Sequence, residues 1–274
     1  MSFRVTIAGG FAACLWMASA SAAPMYDKLY AFGDSYSDIG AGYLDGNGPT
    51  AVAYLAQDMG LPVTHSKDAG AAGKSIVFAV TGAESGRGDG EKLENLTISI
   101  GLQNQVEDFV GRVKRGELKF NPETTLFFIA IGLNDAKIPT ETTVKNVTQA
   151  VTTLKAAGAR HVTLSTLPTR IPDWTEVGKR LNPAYEQLVP KLRQDLGIGV
   201  TLNHFGRDLD EIMQHPSQYG ITDTKNVCAG RAIVGEDGTP CKTPETHFYF
   251  HSGHPSTAVN KIVGKMLFQE ISGR

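Results

Sequence analysis

The chain has 274 residues, 41% of them hydrophobic and 20% charged, with a formal net charge of −2. That balance excludes a disordered chain and gives no global electrostatic case for binding nucleic acid or an anionic membrane. The length suits one α/β domain with a full core.

The first segment has the pattern of an export signal. Arg4 supplies a positive start, Val5 to Met17 an uncharged and mostly apolar run, and Ala18-Ser19-Ala20-Ser21-Ala22-Ala23 the small residues before Pro24. Cleavage after Ala20 or Ala22 satisfies the small-x-small requirement. A secreted or periplasmic protein is therefore expected, with a signal of about residues 1–22 and a single domain over residues 23–274. The run is short for a bilayer span of roughly 20 residues, and no other stretch is long and apolar enough to cross a membrane.

Beyond the signal, apolar runs alternate with amphipathic segments. Leu29 to Phe32 predicts a buried strand, leading into Gly33-Asp34-Ser35. Thr50 to Met59 predicts a short helix stopped by Gly60 and Pro62. Ile76 to Val80 predicts a second strand running into Thr81-Gly82-Ala83, with a glycine-rich, flexible loop (Gly86, Gly88, Gly90) after it. Leu102 to Arg115 carries Leu102, Val106, Phe109, Val110 and Val113 at helical spacing. Thr125 to Ile131 is the strongest strand, followed by Gly132-Leu133-Asn134-Asp135. Thr142 to Ala157 predicts a helix, His161 to Leu167 a strand, and Pro183 to Leu196 a helix that Pro190 is placed to kink. Val200 to Asn203 predicts a short edge strand, Asp208 to Met213 a helix, and Ser256 to Ile271 the last helix. Continuous apolar strands alternating with helices predict a three-layer α/β/α domain around a mainly parallel sheet.

Cys228 and Cys241 lie beyond the signal in a loop rich in Gly, Thr, Pro and Asp. In an exported protein they read as one disulfide, the alternative being two free thiols. His65, His204, His215 and His247 have no ligand spacing, so no metal or other cofactor is expected.

In a parallel sheet, residues just past different strands converge on one edge. That allows Ser35, Gly82, Asn134 and His254 to meet. Acyl-transfer chemistry then assigns the roles: Ser35 attacks an ester carbonyl, and His254 takes its proton and returns it to the leaving alcohol. The Ser35 and Gly82 N–H groups and the Asn134 amide hold the oxyanion. Asp34, Asp38 and Asp135 read as turn and helix caps. Trp174 reads equally as a lining of the acyl or alcohol site and as packing.

These blocks resemble the GDSL, or SGNH, family of esterases and lipases. Gly33-Asp34-Ser35 with Ser37-Asp38-x-Gly40, then Gly82, Gly132-x-Asn134-Asp135, and His254-Pro255-Ser256 stand in the family order and span nearly the whole mature chain. The Cys228, Cys241 and Phe248-Tyr249-Phe250 region resembles an exported bacterial, phospholipase/hemolysin-like branch. The resemblance implies a flavodoxin-like SGNH hydrolase fold and a serine esterase or lipase acting on small-molecule or lipid esters. No Gly-x-Ser-x-Gly elbow is present.

Two departures stand out. Val77 and Thr81 occupy second-block positions where the family often differs, so the oxyanion loop is open to local variation. The family's Asp, three residues before the histidine, is replaced by His251. His254 is then oriented by a backbone carbonyl, by another carboxylate such as Glu245, or by His251 itself. A carbohydrate O-acetylesterase is the alternative activity. A non-catalytic binding protein with a degraded site is the alternative of another class.

Overall fold

A computed structural model describes residues 26–273; the export signal read from the sequence lies outside the described residues. Six strands form one parallel sheet. They are β1 (Lys28–Gly33), β2 (Val63–His65), β3 (Ser75–Val77), β6 (Thr125–Ala130), β7 (His161–Ser165) and β8 (Gly199–Asn203). Their order across the sheet is β2-β3-β1-β6-β7-β8. Every pairing in it is parallel, with Leu29 opposite Leu126 and Leu126 opposite His161. Two smaller sheets accompany it: a hairpin of β4 (Asp89–Leu93) and β5 (Leu96–Ile100), and β9 (Asp223–Val227), β10 (His247–His251) and β11 (His254–Pro255) in the order β11-β10-β9.

Helices cover both faces of the large sheet. Alternate residues of a strand point to opposite faces. Tyr30, Phe32 and Phe127 meet Phe109 of helix α2 (Leu102–Lys114), and Phe78 just past β3 joins them, with Phe32 stacked on Phe78 at 5.2 Å and Tyr30 4.9 Å from Phe109. Helices α3 (Thr140–Ala156) and α4 (Thr175–Leu196) continue that layer. On the other face Phe128 meets Phe205 of α5 (Phe205–Gln214), beside α1 (Ala51–Asp58) and α6 (Thr257–Ser272). Phe109 is fully buried, and truncating a residue of this kind to Ala costs about 3–5 kcal/mol.

Three differences from the sequence expectation have physical causes. Helix α4 begins at Thr175, eight residues before Pro183, and continues through both Pro183 and Pro190. Its buried stripe of Val177, Leu181, Tyr185, Leu188 and Leu192 outweighs the two missing N–H donors. The second predicted strand is short, ending at Val77, yet Phe78 and Val80 still donate to Ala31 and Gly33 of β1. The glycine-rich segment expected as a flexible loop stays irregular at Gly86 and Gly88 but has Gly90 within β4; β4 is exposed and polar, while its half-buried partner β5 alternates Leu96, Ile98 and Ile100 with Thr97 and Ser99.

Strand order turns at the middle of the sheet: after β1 the chain lays β2 at one edge and β3 between them, then crosses to lay β6 on the other side of β1. The crevice at the carboxyl ends of β1 and β6 is the place where ligands bind in open α/β sheets.

Candidate active site

Ser35 stands in that crevice. Gly33 ends β1 so close to β6 that a Cβ on it would lie 1.9 Å from the Ala130 oxygen; only glycine fits. The Asp34 N–H then donates to Ala130, and the Ser37 and Asp38 N–H groups both donate to the Asp34 carbonyl, closing a tight turn around Ser35. The Asp34 side chain caps the turn through the Tyr36 N–H, but its Oδ2 is buried without a hydrogen-bond partner. Burial first, and nearby Asp135 in addition, push this carboxyl up to about 7.

His254 reaches Ser35 from 219 residues away. Strands β10 and β11 pair with His251 opposite His254, so the two histidines flank a two-residue turn of Ser252 and Gly253. Ser256 caps α6 by accepting the Val259 N–H, which fixes the chain just after His254. The turn is clamped from outside: Gly253 carbonyl accepts the Tyr36 hydroxyl at 2.5 Å and the Trp174 indole N–H at 3.1 Å. Trp174 therefore packs edge-on to His254 and holds its turn.

The ring itself has two partners. His254 Nδ1 lies 2.8 Å from the Ser252 carbonyl, and Nε2 lies 2.9 Å from Ser35 Oγ. A carbonyl only accepts, so Nδ1 carries the hydrogen and Nε2 offers its lone pair to the Ser35 hydroxyl. Burial lowers the His254 pKa, against an opposing pull from Asp45. The ring is therefore neutral near pH 7, the form a base needs.

The oxyanion-donor candidates are built into neighbouring loops. The Asp38 carboxylate accepts the N–H groups of Gly40, Ala41, Gly42, Tyr43 and Thr81, tying the loop after Ser35 to the residue before Gly82. Gly82 has φ +78°, and the Ser99 hydroxyl sits against its Cα face. Asn134, in the short turn after β6, donates one amide hydrogen to Ala83, which joins the β3 and β6 loops. Neither the Ser35 nor the Gly82 N–H donates to a backbone acceptor among the described residues. Asp135 accepts from the Ser85 N–H and the Thr143 hydroxyl, a capping role like that of Asp38.

His251 does not touch His254 Nδ1. Its ring lies nearly parallel to Tyr43, and its Nδ1, buried without a hydrogen-bond partner, is 3.7 Å from Asp45. Glu245 is exposed in the turn Pro244–Thr246 and takes no part. The carboxylate at this site is Asp45, which sequence reasoning missed. Its side chain is fully buried, accepts Arg231 through both oxygens at 2.7 and 3.0 Å, and places Oδ2 3.7 Å from His254 Nε2. Burial alone would raise the Asp45 pKa; His251, His254 and Arg231 outweigh it and hold the carboxyl below its ordinary value. Asp45 lies in a Gly-rich turn, Asp45-Gly46-Asn47-Gly48, which in sequence has no mark beyond that of a surface loop.

Arg231 belongs to the loop closed by Cys228 and Cys241, which form the disulfide expected from the sequence. His247 lies 3.7 Å from Cys241 Sγ, but both sulfurs are committed to each other. Beside Gly82, the β4–β5 hairpin borders a cleft of about 310 Å3 lined by Glu84, Asp89, Glu91 and Ser99. No helix among the described residues is long and apolar enough to cross a membrane.

The fold is similar to that of a family two carbohydrate esterase from Clostridium thermocellum solved in complex with cellohexaose. The two are 12% identical with a TM-score of 0.51, over 92% of this chain and 65% of that one. A member of the lipolytic G-D-S-L family from Veillonella parvula is 13% identical, with a TM-score of 0.45 over 89% of this chain and 98% of that one. The acetylxylan esterase Axe2 from Geobacillus stearothermophilus is 15% identical, with a TM-score of 0.46 over 91% of this chain and 96% of that one. No curated protein sequence matches the chain. The family model of GDSL-like Lipase/Acylhydrolase matches residues 29–267, nearly the whole described chain. The chain belongs to the GDSL-like lipase/acylhydrolase family and is a carboxylic ester hydrolase.

Proposed function

We propose that the protein is a secreted or periplasmic serine esterase that hydrolyses acyl esters through Ser35 and His254. The observation that carries this reading is the 2.9 Å contact from Ser35 Oγ to His254 Nε2, with the opposite ring nitrogen held by a carbonyl. Ser35 Oγ attacks the ester carbonyl as its proton passes to Nε2. The oxyanion forms against the Ser35 and Gly82 N–H groups and the second amide hydrogen of Asn134. As the C–O bond breaks, the proton moves from Nε2 to the departing alkoxide. Water then repeats these steps on the acyl-serine, releasing acid and restoring Ser35. Loss of one oxyanion donor costs roughly 100- to 1,000-fold in rate.

Hydrolysis of p-nitrophenyl acetate, butyrate and palmitate by the purified protein, with Ser35→Ala as the control, tests the reading. Activity confined to the unsubstituted protein supports it; equal rates reject it.

A second reading is a carbohydrate O-acetylesterase. The polar cleft beside Gly82 favours it, because Glu84, Asp89, Glu91 and Ser99 suit the hydroxyls of a sugar better than a long acyl chain. Faster deacetylation of acetylated xylooligosaccharides than hydrolysis of the palmitate ester would select it; the reverse order would reject it.

A further inference from the structure

The position three residues before His254 holds no carboxylate, yet a buried carboxylate lies against the same ring. We propose that Asp45 is the positioning residue that stabilises the charged form of His254, acting from the Nε2 side, and that Arg231 of the disulfide loop sets how much of that charge His254 feels. This rests on the assignment of His254 as the base.

The geometry makes the effect differential. In the resting state Nε2 is a lone pair facing the Ser35 hydroxyl, and Asp45 Oδ2 at 3.7 Å gains nothing from it. Once Nε2 takes the Ser35 proton, the same oxygen faces a cation at the same distance. Interactions that exist only in the charged state lower the barrier rather than tighten ground-state binding. Asp45 is itself held in place: Arg231 holds both oxygens, and the Thr81 hydroxyl lies 3.3 Å from Oδ2. Nδ1 needs no carboxylate, because the Ser252 carbonyl already occupies it at 2.8 Å.

The charged and titratable groups facing the His254 environment are Asp45, Arg231, His251 across the hairpin, Asp34 beside Ser35, Tyr36, and Asp173 next to the Ser252–Gly253 turn. Of these, Asp45 favours the imidazolium most directly, while Arg231 and His251 oppose it. Removing Asp45 and removing Arg231 must therefore move the His254 titration in opposite directions. A merely structural role would not produce opposite signs.

The test uses Asp45→Asn and Arg231→Gln. Two readouts are taken: the pH profile of kcat/KM on p-nitrophenyl acetate, and the His254 imidazole titration by NMR, which needs no turnover. An opposite charge within about 4–6 Å shifts a pKa by roughly one unit or more, so Asp45→Asn is expected to lower the His254 midpoint by about one unit. The same substitution should reduce kcat at least about tenfold, one pKa unit of stabilisation being tenfold in rate. Arg231→Gln is expected to raise the midpoint. Unchanged midpoints, or shifts of the same sign in both variants, overturn the proposal. If Asp45→Asn does not fold, Arg231→Gln decides alone: an upward shift supports the proposal and no shift overturns it. A protein inactive on every ester whose midpoints still move as expected would sink the esterase assignment but not the role of Asp45; an active one with fixed midpoints would sink Asp45 alone.

Discussion

Asp34, next to the proposed nucleophile, makes stability fall as pH rises, and Asp34→Asn removes that dependence. The carboxyl titrates near 3.8 when unfolded and at about 7 in the fold. Its folded pKa is raised, so its contribution is fully present below the unfolded pKa and is lost as pH climbs through the folded one. Between pH 5 and pH 8 the unfolded chain has already given up this proton while the folded chain releases it, which removes roughly 2–3 kcal/mol. For a chain of this size that is a fall in Tm of about 5–10 °C, at roughly 2–4 °C per kcal/mol. The asparagine of the variant would keep the Tyr36 N–H bond through its side-chain carbonyl and put its NH2 where the unpartnered Oδ2 of Asp34 now stands. The assay is differential scanning calorimetry of both proteins at pH 5 and pH 8. Asp208, also pushed up to about 7, first by burial and then by Glu270 and Glu211, remains in both and cancels in the difference. The unsubstituted protein should lose about 5–10 °C more than the variant. Equal losses in both would show that Asp34 is ionised throughout and that its burial is relieved by some other group.

Gly82→Ala strains a backbone at φ +78° and brings its Cβ 2.7 Å from the Ser99 hydroxyl, so kcat on a short ester should fall at least about tenfold if this amide serves the oxyanion. An unchanged kcat in a folded variant would remove Gly82 from the oxyanion hole. His251→Ala should keep activity within about tenfold, because the Ser252 carbonyl and not His251 holds Nδ1 of the proposed base His254; a loss of several orders of magnitude in a protein with native circular dichroism would reject that orientation. Replacing Cys228 and Cys241 by Ser should lower unfolding free energy by about 3 kcal/mol on the chain-entropy model, read from urea titration. It should also loosen Arg231 from Asp45, moving the His254 NMR midpoint upward. No loss of stability would contradict the first expectation, and a fixed midpoint the second.

The parts of the fold visible in the sequence are those where burial writes a pattern. Strands β1 and β6 are continuous apolar runs because both sheet faces are covered, β7 keeps only Val162 and Leu164 apolar, and α2 shows its buried stripe because the opposite face is solvated. Strands β4 and β9 left no such trace, since neither has an apolar face to bury, whereas β5 carries the alternation Leu96, Ile98 and Ile100 that the glycine-rich run before it obscured. The start of α4 was hidden by Pro183, which suggests a helix beginning where the structure has a helix interior. At the candidate site, the meeting of Ser35 with His254 and the carbonyl contact to His254 Nδ1 were legible because each sits in a short block beside a strand. Asp45 was not, because its role depends on Arg231, His251 and His254, all about 190 to 210 positions away in the chain.

The claim that Ser35 is the nucleophile is tested most directly by covalent labelling. A fluorophosphonate ester should modify the protein with loss of esterase activity, and peptide mapping should place the single adduct on Ser35, with no adduct on Ser35→Ala. Labelling at another serine, or undiminished labelling of Ser35→Ala, would contradict the account.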